Sequence, residues 1–299
     1  MGVKNEQDPA TPATPVPRYT SFSDIRSKFE GDLIEFIYGS NYIEVTGSGF
    51  DVTETLCRRI FKGEKVSAQV EERSADYGMA QAALVALKRP SSFQDVVLSR
   101  QEVINHAQAL SYAIDHFVID GKEITEDFLK EVHTKLCCKV LGEDAGNPGV
   151  YRTWEIAARH GKDMKSKSVF IRASSVPQYM EAFVSDLKND VIKMEESKIT
   201  DPFDLALDMA SRYCHRFVCI HPFGDGNGRM CRILLNIILL KYGGRISAFG
   251  KTESERKEYL DLARRENKKF HQEDMEVPEE EKEGHHELRE FILRSLRSK

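Results

Sequence analysis

The sequence predicts an all-α fold carrying one β-hairpin. Apolar residues recur at three- and four-residue spacing along most of the chain, while β-rich runs occur only around 150–171. The 40% hydrophobic fraction of 299 residues suffices for a core over most of that length and excludes disorder throughout. Length alone gives a soft prior of two domains.

The elements follow in order. Residues 1–18 hold Pro9, Pro12, Pro15 and Pro17 among Ala and Thr and read as a disordered leader. Ser23 is the expected cap of a first helix that aligns Ile25, Phe29, Leu33, Phe36 and Ile37. A short helix fits Thr53–Lys62 and stops at Gly63. Residues 67–88 are Ala-rich and helical in propensity, although Gly78 weakens them. Helical spacing resumes over 94–117, and Thr125 caps a helix running to about Cys138. The strand signals are Val150–Ile156 and Lys167–Ile171, joined by a basic stretch with Lys162 and Lys165. Pro177 suits the first turn of the next helix, and Asp201-Pro202-Phe203-Asp204 opens another to about Val218. Arg229–Lys241 reads as a buried helix closed by Gly243-Gly244. Thr252-Glu253-Ser254-Glu255 is a capping box for a helix to about Glu266. The acidic run 272–284 reads as solvated, and Leu288–Leu296 as a last amphipathic helix.

Charge and composition remove several function classes. Lys and Arg number 43 against 48 Asp and Glu, a net charge of −5, which disfavours nucleic acid as a partner. The longest apolar run, Ile233–Leu240, is interrupted by Asn236 and falls far short of the roughly 20 residues a membrane span needs. Met1–Glu6 carries no secretory signal, and the six cysteines form no C-x-x-C pair. Reduced thiols in a cytoplasmic or nuclear protein are the expectation. Homo-oligomerisation stays open.

One segment carries chemistry: His221-Pro222-Phe223-Gly224-Asp225-Gly226-Asn227-Gly228-Arg229-Met230-Cys231-Arg232. Its glycines permit tight turns and close backbone approach. They feed a helix N-terminus, where free amides and the dipole favour an anion. Arg229 and Arg232, three apart, share a helix face and suit a polyphosphate. Asp225 fits as a carboxylate on a Mg²⁺ ion that bridges it to phosphate. His221 is the group able to take a proton near neutral pH. A P-loop fails, since only three residues separate Gly224 from Gly228. An EF-hand starting at Asp225 fails too, with Met230 at its glycine position and Asn236 at its final Glu. Cys214, His215, Cys219 and His221 match no common zinc spacing. An ordinary interhelical turn with a structural histidine is the competing reading.

The segment reads H-x-F-x-D-G-N-G-R-x-x-R and resembles the signature of the Fic family of AMP-transferring proteins. The resemblance extends to Glu102-Val103-Ile104-Asn105-His106-Ala107, similar to an early core helix of the family. Gly149-x-Tyr151-Arg152 is similar to the start of its hairpin. Ser40-Asn41-Tyr42-Ile43-Glu44 resembles the family's autoinhibitory S-x-x-x-E pattern; Val45 follows where the family usually has Gly or Asn. The resemblance implies a Fic-type helical core over 95–270 with one β-hairpin flap. Regulatory helices over 19–94 precede it, and an acidic segment with a C-terminal helix over 271–299 follows.

The resemblance also implies the chemistry: AMP passes from ATP, with Mg²⁺, to a Ser, Thr or Tyr hydroxyl of a protein substrate. His221 is then the base, Asp225 the metal ligand, and Gly226, Asn227 and Gly228 donate N–H groups, with the Asn227 side chain adding one more. Arg229 holds phosphate and Arg232 the γ-phosphate, which Glu44, with Ser40, competes for. The hairpin aligns the target by strand addition. Removal of AMP in the same pocket, transfer of another group, and a non-catalytic nucleotide-binding module are the alternatives. His106 and Trp154 read as packing residues, and His285-His286 as exposed.

Overall fold

The computed structural model describes residues 18–159, 167–197, 199, 201–274, 276–278 and 281–297. The proline-bearing leader up to Pro17 and the hairpin tip with Lys162 and Lys165 lie outside these residues. Ten α-helices and one hairpin appear among the described residues. They are α1 (Phe22–Ile43), α2 (Phe50–Phe61), α3 (Ala75–Ala86), α4 (Phe93–Ala113) and α5 (Glu126–Cys137), then α6 (Val176–Glu196), α7 (Phe203–Ile220), α8 (Asn227–Gly243), α9 (Glu253–Glu273) and α10 (His286–Arg297). Strand β1 (Ala157–Arg159) pairs antiparallel with β2 (Lys167–Val169), Ala158 opposite Ser168.

Local chemistry sets the helix ends. Ser21, not Ser23, caps α1, because only Ser21 stands three residues before Asp24 and completes a reciprocal capping box with it. Ile25, Phe29, Leu33, Phe36 and Ile37 are all buried, as their spacing predicts. Ser92 and Asp95 form the same box on α4. Thr125 caps α5 through the Phe128 N–H. Thr252 accepts from the Glu255 N–H, but the Glu255 carboxylate reaches Lys251 N instead of closing the box.

Three further expectations are corrected. The helix expected over 67–88 begins only at Ala75, where Ser74 supplies a cap. Asp201, expected to cap α7 with Pro202 as its first residue, accepts from the Phe203 N–H, but Pro202 itself occupies the N-cap position. Residues 150–156 form no strand; they run as an irregular segment tied to Pro222 through the Arg152 N–H, and pairing starts only at Ala157.

Helix α8 lies at the centre. Every residue from Arg229 to Leu240 is buried, with α7 packed most extensively along it and α1, α4 and α5 on other sides. The α8 run from Ile233 to Leu240, apolar except for Asn236, belongs in a core. One hydrophobic cluster runs from Ile25 to Ile292, so the N-terminal helices and α10 share it. Within it, Asn236 satisfies both ends of its amide: Nδ2 donates to Arg232 O and Ser247 O, and Oδ1 accepts from Ser247 N at 2.7 Å. Asn236→Ala should strand these buried groups and cost about 2–3 kcal/mol. Thermal unfolding should then fall by about 3–5 °C.

Candidate functional site

The loop between α7 and α8 brings the predicted residues together. His221 ends α7 in the left-handed region, at φ 54° and ψ 60°. That conformation is costly for a residue with a Cβ, and Arg152 holds it in place. The Arg152 side chain is buried and donates to four carbonyls: His221 at 2.7 Å, Trp154 at 3.0 Å, Ile220 at 3.4 Å, and Ile171. One guanidinium thus joins both ends of the hairpin segment to the turn that presents His221.

The imidazole of His221 stacks on Phe170, with ring centroids 3.8 Å apart. Its Nδ1 lies 3.2 Å from the Val218 carbonyl. A carbonyl only accepts, so the proton sits on Nδ1 and Nε2 keeps its lone pair. Burial lowers the pKa to about 4, leaving the ring neutral at physiological pH.

His133 on α5 was not singled out in the sequence, because one helical histidine carries no pattern. It supports the loop from beneath. Gly149 N–H donates to Nδ1 at 2.8 Å, so Nε2 carries the proton and donates to Asp225 O at 2.9 Å. Its ring stacks on Phe223, centroids 3.7 Å apart, and burial lowers its pKa to about 4.

Asn227 departs from its expected role. Its Oδ1 accepts from Phe223 N at 3.0 Å and its Nδ2 donates to Phe223 O at 2.9 Å. Both ends of the side chain close the loop, which commits the amide to the backbone of Phe223. Gly226 precedes α8 at φ 78°, where a Cβ would also meet Cys137 Sγ at 2.8 Å. Gly228 is required by proximity: a Cβ there would strike the Glu44 carboxylate.

The two arginines differ. Arg232 is buried and fully engaged: Nε donates to Ser40 Oγ at 2.9 Å, and Nη2 to Ser40 O at 3.0 Å and to Glu44 Oε1 at 2.7 Å. Burial works against its charge, but the Glu44 carboxylate, with Tyr259 and Cys231 adding to it, outweighs this and raises its pKa. Arg229 is equally buried, yet its Nε and Nη1 have no partner among the described residues. Its Nη2 lies 3.6 Å from Asp225, whose own side chain is exposed. A buried guanidinium with idle donors at a helix N-terminus fits an anion. Asp225 beside it is an exposed carboxylate of the kind that could hold a Mg²⁺ ion.

Glu44 caps α1, and the chain leaves through a Schellman turn. Val45 N–H reaches Tyr42 O at 3.1 Å and Thr46 N–H reaches Asn41 O at 3.0 Å. Val45 sits at φ 59°, where glycine is the usual residue. His106 is fully buried, with Nδ1 2.9 Å from Asn41 Oδ1. Trp154 leans over the loop, its ring 2.9 Å from where a Cβ on Gly224 would stand. All six cysteines are free thiols.

The Fic/DOC family model matches residues 123–239, which span α5 to α8 and contain the whole loop. The segment from α5 to α8 thus matches the Fic/DOC family. It is 29% identical over 147 residues to a protein adenylyltransferase Fic of Nematostella vectensis, covering 49% of this chain and 30% of that one. It is 60% identical over 35 residues to a Fido domain-containing protein of Dictyostelium discoideum, covering 12% of this chain and 24% of that one. The chain therefore spans less than a third of the length of either relative. A Fic domain-containing signalling protein from Bacteroides thetaiotaomicron shares the fold, with TM-score 0.64 and 17% identity over 93% of this chain and 89% of that one.

His133 and His221 make stability pH-dependent. Both titrate near 4 when folded, below the roughly 6.5 of an unfolded histidine. As the pH falls below about 6.5, the unfolded chain takes up protons first, and stability is lost progressively down to about 4. The urea midpoint should drop across that window, and drop less in His133→Gln.

Proposed function

We propose that this protein transfers AMP from ATP to a hydroxyl of a protein segment, and that Glu44 holds the activity low. The observation that carries this reading is the combination, around one turn, of idle buried Arg229 donors and a neutral His221. The name protein adenylyltransferase on the Nematostella vectensis relative supports it.

The target oxygen bonds to the α-phosphorus as the bond to pyrophosphate breaks. The hydroxyl proton passes to the free lone pair of His221 Nε2. The amides of Asn227 and Gly228 and the Arg229 guanidinium hold the phosphates. Asp225 is the carboxylate that would hold Mg²⁺, which supplies charge neutralisation at the leaving group. Exposed Val150, Trp154 and Val169 offer the target apolar contact beside the hairpin. Main-chain bonding to a strand tolerates many sequences.

Glu44 occupies the guanidinium that the γ-phosphate needs. ATP bound without that contact loses in-line geometry, which lowers the rate by orders of magnitude. The complete loop with Glu44 beside it also suits a second reading: removal of AMP in the same pocket, with Glu44 positioning the attacking water.

Intact-mass analysis after incubation with ATP and Mg²⁺ tests the main reading. Glu44→Gly should gain the mass of AMP at least about tenfold faster than the unaltered chain. His221→Ala in the same background should gain none. Equal gains with and without Glu44 would refute the restraint. Val45→Gly should relieve about 1 kcal/mol of backbone strain, tighten the turn and lower basal labelling roughly fivefold, with a higher unfolding temperature.

A further inference from the structure

We infer that Asp208, His285 and His286 form a zinc site that clips helix α10 onto α7. Asp208 lies in the second turn of α7, His285 immediately precedes α10, and His286 is its first residue. One donor atom from each, all three together, lies within 4.8 Å of the others. A tetrahedral zinc ion with bonds of about 2.0–2.1 Å keeps its donors roughly 3.3 Å apart. Asp208 Oδ1 and His285 Nε2 already stand 3.0 Å apart. The remaining contraction falls on His286, whose exposed side chain can turn toward them.

The sequence suggested that both histidines are exposed; His285 is in fact buried. Leu288, Phe291 and Ile292 of α10 pack into the common core and fix His285 against α7. Two of the three donors are therefore preorganised.

The local charge suits a cation. Arg289 Nε approaches Asp208 at 3.8 Å, but its other nitrogens pair with Asp204 and Glu290. Arg212, the other cation acting on Asp208, pairs with Asp190 at 3.0 Å. Two imidazoles and one carboxylate match zinc rather than Mg²⁺ or Ca²⁺, which take oxygen ligands. A fourth position stays open to water. The competing account is that His285 and Asp208 form a hydrogen bond and nothing more. His286 separates the two, since it takes no part in that bond.

The full chain, stripped with a chelator, should bind one equivalent of zinc chloride in calorimetric titration, with a Kd in the micromolar range or tighter. Zinc should raise its unfolding temperature. His286→Ala should weaken binding at least about tenfold and leave the metal-free unfolding temperature unchanged. Asp208→Asn should weaken it likewise. His221→Ala should bind as the unaltered chain does, excluding the loop as the zinc site. Cobalt(II) should give a visible absorption band that His286→Ala loses. No saturable zinc binding, or equal affinity in His286→Ala, would overturn the inference.

Discussion

Two guanidiniums buried on the central helix constrain the whole molecule. A charge taken out of water must be matched by an opposite charge or by good acceptors. Arg232 is matched by Ser40 and Glu44, both from the end of α1. That need draws α1 across the start of α8, and the apolar face of α1 from Ile25 to Ile43 then completes the core. Arg229, one turn earlier, has only the exposed carboxylate of Asp225 nearby. One arginine holds the fold closed while its neighbour keeps donors in reserve. The difference arises because Gly228, lacking a Cβ, lets Glu44 approach Arg232.

A third arginine sets the geometry on the other side of the loop. Left-handed backbone at His221 costs about 1–2 kcal/mol, and four carbonyl contacts from Arg152 overdetermine it. Nearby, His133 and His221 are both neutral but carry their protons on opposite nitrogens. Gly149 N–H forces the proton of His133 onto Nε2, where it ties down the loop. Val218 O forces that of His221 onto Nδ1, which leaves Nε2 free. Two identical side chains thus differ, one bracing the loop and the other keeping a lone pair free, by the polarity of one backbone neighbour each.

The helices and the loop were legible because their signals are local. Capping serines, apolar spacing and the run from His221 to Arg232 lie within a few residues of one another. Features built from distant residues were not. Arg152 shows only as part of a hairpin-start pattern, because its carbonyl partners come from residues up to 69 positions away. His133 meets Asp225 across 92 positions. The displaced first strand has the same origin: Val150–Ile156 has the composition of a strand, but Arg152 within it is buried against the His221 turn. The segment is held there and cannot pair until Ala157. The Asn227 amide was read as a ligand donor because its return to Phe223 depends on how the loop closes.

The restraint by Glu44, on the proposed reading, is tied to the nucleotide by charge balance. Removing one member of a buried ion pair costs about 3–5 kcal/mol when nothing replaces it. Departure of Glu44 alone would leave Arg232 with only the oxygens of Ser40 and a distant contact to the Tyr259 hydroxyl at 3.5 Å. An incoming γ-phosphate offers the missing charge, so nucleotide and Glu44 exchange at one guanidinium rather than acting at separate sites. Strain at Val45 shifts that exchange. Glycine there would make the turn comfortable and the pair harder to open, whereas a β-branched residue at φ 59° raises the energy of the closed state. The closed state is therefore held by a strong contact on a strained hinge, an arrangement that a modest binding energy can reverse.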